Sequence, residues 1–491
     1  MSTVITSLPR VRAPRRPEPV RTRTPALREF TTRPLADLFP LPLTAFEDYM
    51  LDDDRPEYPM TFFIKLHFRG RLDQKLFKVA LERVLDRHPL FRANVRELFG
   101  RRMWAPAKDR NPLLSWEDDQ EPISGCGYLD LADEVGLRLW VRENNRGAAV
   151  LIQFHHACCD GVGAMQFIED LLTAYAAAHS ETGQSPAMRP LYLGRLANRG
   201  ECRQGLLRRL LTAPVCMLAA RGIAEFLVNR PAPLATPARP QVACVPESGG
   251  PDIHTHRFSK HQLRNLRERS EQLGATVNDL LMRDLIEAVN EWNSKHAPQQ
   301  SGRCIRISMP VNLRTSDDEL LPAANHVAMV FIDRRPARYT KVWGLLDSIR
   351  LDTWFIKRFR LARVFIWLMT LLRACGIGLS RWIKEDRCMA TTVLSNLGVR
   401  LDDLPLPYYK ERILAGDVML DRIEFTPPVR PLTHASLGVV TYAGELSISL
   451  HHDQSMSSQA AADFLAAFAA RVNATAAAAR PEKPPVKANA A

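Results

Sequence analysis

The amino-acid sequence predicts an α/β protein of two similar lobes, each a mixed sheet flanked by helices. A predicted strand hairpin over residues 138–154 leads into two histidines and then into an amphipathic helix. The same order returns near the end of the chain, where a hairpin over residues 437–450 is followed by His451-His452 and an alanine-rich helix. The chain has 491 residues, which is long enough for two domains of ordinary size.

The composition is that of an ordinary globular protein, with 46% hydrophobic and 24% charged residues. The net charge of +12 is compatible with anionic partners such as CoA phosphates, an acidic carrier protein, anionic lipid or nucleic acid. Nucleic acid is not expected, because the sequence contains no recognised nucleic-acid motif. No metal is expected either, because the nine cysteines lack zinc-type spacing. Their odd number and scatter indicate free thiols in a reducing, cytoplasmic compartment.

Composition shifts divide the chain into five predicted parts. Residues 1–34 are rich in proline, arginine and threonine and lack the apolar core of a signal peptide, so we expect a disordered basic tail. The N-terminal lobe spans residues 35–183. A proline-rich linker with an embedded basic and apolar helix occupies residues 184–251. The C-terminal lobe spans residues 252–474, and residues 475–491 form a second disordered tail.

The motif at residues 154–161 carries the candidate catalytic residues His155, His156, Asp160 and Gly161. It places the two histidines at the end of a strand and the aspartate and glycine in the loop before the helix. A histidine with an ordinary pKa of about 6.5 accepts a proton near neutral pH. A nearby aspartate fixes either the loop or the tautomer of the ring, and glycine permits a tight backbone. The alternative is a histidine pair that only caps a buried strand.

This pattern, His-His-x-x-x-Asp-Gly, resembles the signature of the chloramphenicol-acetyltransferase-like superfamily. That superfamily includes condensation domains of nonribosomal peptide synthetases and the wax-ester synthase/diacylglycerol acyltransferases. Three further stretches resemble these lipid and alcohol acyltransferases, namely Thr-Val-Asn-Asp at 276–279, Pro-Val-Asn-Leu-Arg at 310–314 and Ser-Asn-Leu-Gly at 395–398. A helix cap is the alternative for the first of them. The resemblance implies two chloramphenicol-acetyltransferase-like lobes with a tunnel between them.

The resemblance also implies roles for individual residues. His156 is expected to act as a general base on an acceptor that attacks the thioester carbonyl directly. Arg314 is the expected partner of Asp160, a pair that would hold the motif loop in shape; the alternative is a solvated arginine at a strand end. Ser395 and Asn396 are candidate hydrogen-bond donors to the oxyanion, and a plain turn is the alternative for them.

The expected function is transfer of an acyl group from acyl-CoA or an acylated carrier protein to the hydroxyl of a lipid or another hydrophobic alcohol. The resemblance implies no permanently bound cofactor, only a thioester co-substrate. The sequence lacks the Asp-Phe-Gly-Trp-Gly motif near its C-terminus, which counts against the plant acyltransferases of the superfamily. Two alternatives remain open: a free-standing condensation-type enzyme that forms an amide, and a non-catalytic relative that binds acyl groups or a membrane.

Residues 351–383 combine aromatic and aliphatic side chains with interspersed lysines and arginines. The longest uncharged run, residues 364–372, is far shorter than the roughly 18 residues that a membrane span requires. A basic, aromatic-rich amphipathic segment suits the surface of an anionic membrane. A helix packed on its own domain explains the pattern equally well, so peripheral membrane contact is one of two open interpretations.

Overall fold

The structure is a computed structural model that describes residues 38–107, 111–180, 186–200, 213–237, 250–339, 344–375 and 387–478. The predicted tail at residues 1–34 lies outside the described residues, as does the second tail after residue 478. The same holds for residues 376–383 of the apolar segment and for the first part of the predicted linker helix.

Runs of strands are separated by helices along the described chain. The strands are β1 (Leu41–Pro42), β2 (Thr61–Arg69), β3 (Ala93–Leu98), β4 (Arg101–Pro106), β5 (Leu113–Asp118), β6 (Leu137–Asn144), β7 (Gly147–His155), β8 (Ile253–Phe258), β9 (Ile305–Asn312), β10 (Val327–Arg334), β11 (Thr392–Val399), β12 (Tyr408–Tyr409), β13 (Arg412–Ala415), β14 (Val418–Thr426), β15 (Ala435–Tyr442) and β16 (Glu445–His452). The helices are α1 (Ala45–Asp53), α2 (Gln74–Arg87), α3 (Gly161–His179), α4 (Ala213–Val228), α5 (Lys260–Gln272), α6 (Val277–His296), α7 (Leu345–Phe359), α8 (Ala362–Ala374) and α9 (Ser458–Ala477).

The first large sheet contains the predicted motif hairpin. Its strand order is β12-β13-β14-β2-β7-β6-β5, with β5 parallel to β6 and the other neighbours antiparallel. The hairpin of β6 and β7 turns at Asn144, whose side-chain oxygen accepts hydrogen bonds from the backbone N–H groups of Arg146 and Gly147. Almost every residue of β6 and β7 is buried, so the hairpin is a rigid support for the histidines at its end.

The second large sheet repeats this arrangement in the other lobe. Its order is β10-β9-β11-β15-β16-β8, again with parallel and antiparallel pairs. The hairpin of β15 and β16 precedes α9 as the hairpin of β6 and β7 precedes α3. The prediction of an α/β fold with two mixed sheets flanked by helices is confirmed.

The chain crosses between the lobes near its C-terminal end. Strands β12 to β14 belong to the predicted C-terminal lobe, yet β14 pairs with β2 in the first sheet. The predicted division into residues 35–183 and 252–474 does not include this crossover. The two sheets meet where β14 passes β15, and Gly438 makes that approach possible. A Cβ atom at Gly438 would lie 1.9 Å from the backbone oxygen of Phe425.

The amphipathic segment predicted over 351–383 contains most of α7 and all of α8. The two helices are separated by Arg360, which has a left-handed conformation with φ of 52°. Helix α8 packs against the first lobe. Phe365 makes an edge contact with Tyr49, and Arg373 donates a 2.7 Å hydrogen bond to the backbone oxygen of Leu43. In the part of the chain that the structure describes, no helix combines the length and apolarity needed to cross a membrane.

Candidate active site

The motif lies at the junction of β7, a short loop and α3. The backbone N–H of His156 donates to the backbone oxygen of Met60 at 2.7 Å, which fastens the end of β7 beside β2. Helix α3 begins at Gly161, and Asp160 is its N-cap, accepting a 2.8 Å hydrogen bond from the Gly163 N–H. The short polar side chain of Asp160 thus ends the loop and starts the helix.

His155 is fully buried and both of its ring nitrogens are engaged. Its Nδ1 accepts a hydrogen bond from the Ala157 N–H at 3.1 Å, so that nitrogen carries no proton. The proton of the neutral ring is therefore on Nε2, which lies 3.2 Å from the Asp54 carboxylate. Asp54 also accepts a 2.7 Å hydrogen bond from the backbone of Met60. His155 thus joins the motif loop to the segment before β2.

His156 is half-buried between two aromatic rings. Phe62 contacts its ring at a centroid distance of 5.3 Å and Phe46 at 6.3 Å, both in edge geometry. Burial disfavours the imidazolium form and lowers the pKa of His156 below 6.5, although the charge of Asp160 and polar contacts with Asn325 and its own backbone act in the opposite direction. The ring is therefore neutral at pH 7, the state that a general base requires.

Asn325 holds two consecutive backbone carbonyl groups, those of His156 and Ala157. Its side-chain amide donates to the carbonyl oxygen of His156 at 2.6 Å and to that of Ala157 at 2.8 Å. The role of Asn325 was not predicted from the sequence. It lies in a loop before β10, remote in sequence from the motif, and a single asparagine there carries no distinguishing pattern.

Asp160 and Arg314 form a buried ion pair. The Arg314 Nη1 donates to one Asp160 oxygen at 2.7 Å, and the same oxygen accepts the backbone N–H of His326 at 2.7 Å. Arg314 also donates to the backbone oxygen of Ala324 at 2.8 Å. Burial alone raises the pKa of the Asp160 carboxyl, but Arg314 and the backbone donors together hold it below its ordinary value. The carboxylate stays charged and serves as a fixed anchor.

Gly161 lies against β11 of the second lobe. A Cβ atom at this position would lie 2.5 Å from Cδ2 of Leu397 on β11. The motif glycine is therefore explained by the close approach of the second lobe and not by an unusual backbone angle.

A cavity of about 120 Å³ lies beside His156, between the lobes. Its lining includes Asp160 and Gly161 from the motif and Ser395 and Asn396 from β11. Most of the remaining lining is apolar, including Met50, Met60, Phe62, Met329, Leu397 and Phe425. Neither His155 nor Arg314 is among the lining residues, so both act on the cavity only through the residues they hold.

The two oxyanion candidates differ in their surroundings. Ser395 is buried and lines the cavity. The Asn396 side chain is exposed and is already engaged, since its amide donates to Asn278 at 3.3 Å and its oxygen accepts the Gly398 N–H at 2.8 Å. Both residues belong to β11, whose register shifts after Asn396, so this stretch is an irregular strand and not a plain turn. Thr276, in the neighbouring motif, is the N-cap of α6, in a capping box.

Comparison with known proteins supports the same fold. Residues 143–281 match the model of the wax ester synthase/diacylglycerol acyltransferase catalytic domain. The uncharacterized protein Rv2305 of Mycobacterium tuberculosis is 25% identical over 382 residues, which cover 73% of this chain and 83% of that protein. The starter condensation domain of rhizomide synthetase RzmA, a mutant in complex with C8-CoA and Leu-SNAC, aligns with a TM-score of 0.61 and 12% identity over 90% of this chain and 95% of the domain.

Polyketide synthase associated protein 5 from Mycobacterium tuberculosis aligns with a TM-score of 0.58 and 16% identity, over 89% of this chain and 98% of that protein. The chain has the chloramphenicol-acetyltransferase-like fold. The resemblance stated from the motif is confirmed, and within this fold the match to a catalytic-domain model supports an acyltransferase type of activity.

Two thiols adjoin the histidines in this chloramphenicol-acetyltransferase-like fold. Cys158 and Cys159 are fully buried, and burial raises the pKa of both well above the ordinary value of a thiol. Both thiols are therefore protonated at neutral pH and are unsuited to nucleophilic attack.

One group of side chains has the geometry of a metal site. Asp252, His254 and His452 bring donor atoms within 4.8 Å of one another at the edge formed by β8 and β16. Hydrogen bonding also explains this arrangement, because Asp252 lies 3.2 Å from Nε2 of His452 and 3.3 Å from that of His254. The group does not line the cavity beside His156.

Proposed function

We propose that the protein is an acyltransferase that moves an acyl group from a thioester to the hydroxyl of a lipid or another hydrophobic alcohol. The observation that carries this proposal is a neutral, half-buried histidine that lines a largely apolar cavity between two lobes. An imidazole in such a place can accept a proton from an alcohol whose apolar part fills the cavity.

In the proposed mechanism, His156 takes the proton of the acceptor hydroxyl as its oxygen attacks the thioester carbonyl. The tetrahedral intermediate carries its negative charge on the former carbonyl oxygen. Ser395 is the preferred donor to this oxygen, because the Asn396 side chain is already hydrogen-bonded to Asn278 and Gly398. Collapse of the intermediate forms the ester and expels the thiolate, which recovers the proton from His156. General-base catalysis of this kind contributes roughly 10²–10⁴ in rate.

The other motif residues hold His156 in position and take no part in proton transfer. His155 ties the loop to Asp54, and Asp160 ties it to Arg314 and to the start of α3. Asn325 fixes the carbonyl groups next to the catalytic ring. A base held from three directions loses little orientation when substrate binds, which is the contribution that positioning makes to catalysis.

The thioester is proposed to be acyl-CoA or an acylated carrier protein, without a permanently bound cofactor. The RzmA condensation domain, which shares this fold, was solved in complex with C8-CoA. That domain was also solved with Leu-SNAC, which favours an amine acceptor as the second candidate. A non-catalytic acyl-binding role fits less well, because the residues that would orient the base are in place.

Peripheral contact with an anionic membrane stays a prediction, as does the cytoplasmic location. The membrane contact is supported by the surface of α7 and α8, where Trp354, Trp367 and Leu371 are exposed. Arginines and a lysine lie among them in sequence.

The test is acceptor-dependent release of free thiol from a panel of acyl-CoAs and acylated carrier proteins. Long-chain alcohols, diacylglycerol and long-chain amines serve as acceptors, with wild type and His156→Ala assayed side by side. We expect release with a hydroxyl acceptor that His156→Ala abolishes. Release with amines alone would replace the ester-forming proposal by the amide-forming one. Absence of release with every CoA and carrier-protein donor would refute the acyltransferase.

A further inference from the structure

Arg400 lines the cavity beside His156 and forms no ion pair with the described residues. The residue directly follows β11, and its backbone N–H donates to the backbone oxygen of Thr441 at 3.1 Å. Its half-buried side chain lines the cavity. The Nε atom is buried and has no hydrogen-bond partner among the described residues.

The other charged side chains of the cavity lining have partners. Asp160 is paired with Arg314 at 2.7 Å. Arg430 donates to Asp53 at 2.9 Å and also to the hydroxyl of Tyr49. Arg400 is the exception within the described part of the chain, so the lining of this largely apolar cavity includes one arginine that no ion pair neutralises.

Two carboxylates attract Arg400 without bonding to it. Burial lowers the pKa of Arg400 below its ordinary value, and the charges of Glu169 and Asp160 act in the opposite direction. The oxygens of Asp160 already accept bonds from Arg314 and from backbone N–H groups. Glu169 lies 3.6 Å from Arg189. Neither carboxylate forms an ion pair with Arg400 in the described structure, which leaves its guanidinium available to a ligand.

We propose that Arg400 binds an anionic oxygen group of a substrate, a carboxylate or a phosphate, within the catalytic cavity. The planar guanidinium presents paired N–H donors that match such groups, and buried donors are seldom left without an acceptor. The surrounding apolar lining would hold the hydrocarbon part of the same molecule. The substrate class is therefore an amphiphile with an anionic end. This assignment rests on the proposed acyl transfer for its biological meaning, but ligand binding tests it separately.

The two sources of the anionic group are a carboxylate on the acceptor and a phosphate on the thioester donor. Isothermal calorimetry on the full chain distinguishes them with two matched ligand pairs. An ω-hydroxy fatty acid is compared with the diol of the same length, and octanoyl-CoA with octanoyl-N-acetylcysteamine, which lacks phosphate. Each ligand is titrated into wild type, Arg400→Gln, Arg400→Lys and Arg257→Gln. Arg257 pairs with Glu445 and is not among the cavity-lining residues, so its variant controls for the loss of one arginine.

We expect wild type and Arg257→Gln to prefer the anionic member of one pair by about 10- to 100-fold, the value of a charge-assisted hydrogen bond. Arg400→Gln should abolish that preference and leave the neutral member's affinity unchanged, while Arg400→Lys should retain part of it. The affected pair identifies the source. Equal preferences in wild type and Arg400→Gln, or no preference in wild type, would overturn the proposal. Binding without acceptor-dependent thiol release would refute the proposed function and leave the subsite intact.

Discussion

Replacing Asp160 by asparagine tests whether the motif aspartate is an anchor or a participant in proton transfer. Asparagine has the same shape as aspartate. Its side-chain oxygen can still cap α3 by accepting the hydrogen bond from the Gly163 N–H, which is 2.8 Å long in wild type. Its other terminal atom becomes an NH₂ group, which then faces two donors. These donors are Nη1 of Arg314 and the backbone N–H of His326, each 2.7 Å from the present carboxylate oxygen.

The expected loss in the free energy of unfolding follows from burial of the Asp160–Arg314 pair. The Asp160 and Arg314 side chains are only 4% and 8% exposed, so the arginine charge left behind cannot be hydrated. Removing one member of a buried ion pair costs about 3–5 kcal/mol. The folded-state pKa of Asp160 lies below its ordinary value of 3.8, so its stabilisation is fully present above that pH. It is lost as the pH falls through the folded-state value, and the difference between wild type and variant should shrink there.

Urea denaturation followed by tryptophan fluorescence measures this difference at neutral and at acid pH. Glu411→Gln is the control, because its ion pair with Lys260 is exposed and should contribute less than about 1 kcal/mol. Folded Asp160→Asn should also retain acyl transfer, with the acid limb of its pH profile shifted to lower pH, because the Asp160 charge that raises the pKa of His156 is gone. If the variant is as stable as wild type but inactive, Asp160 takes part in the chemistry and the anchor assignment is wrong.

Three further predictions concern the neighbours of this pair. Because burial lowers the pKa of His156, the acid limb of the kcat/KM profile should lie below pH 6.5, and a limb above that value would exclude a neutral buried base. Gly161→Ala should destabilise the protein by about 1–3 kcal/mol through contact with Leu397, and adding Leu397→Ala should cost less in that background than in wild type. Asn325→Asp keeps the shape but loses the two donated hydrogen bonds, so kcat should fall about 10- to 100-fold with KM unchanged. A change in KM alone would assign Asn325 to substrate binding.

Local patterns in the sequence predicted the elements that depend on neighbouring residues. The hairpin of β6 and β7, the start of α3 at Gly161 and the second hairpin before α9 all follow from alternation, turn residues and helical spacing. The return of β14 to the first sheet was not predictable in this way. Pairing between β2 and β14 joins residues about 350 positions apart, and no local pattern encodes such a partner.

The site residues also differ in how far the sequence could predict them. His156, Asp160 and Gly161 stand in one short motif, so their proximity was visible in the sequence. The anchors Asp54 and Asn325 come from separate loops and were not found, because each is an ordinary polar residue whose role exists only in the folded chain. Arg400 was missed for a further reason. Its significance lies in lacking a partner, which only the packed cavity reveals.

The role of His156 as the base of an acyl transfer is tested by kcat/KM of His156→Ala on the best acceptor. We expect a loss of roughly 10²–10⁴ relative to wild type, with an unfolding free energy that shows the variant remains folded. His155→Gln provides the comparison, because losing its tie to Asp54 should lower stability as well as activity. A folded His156→Ala variant that retains kcat/KM within tenfold of wild type would show that His156 is not the general base.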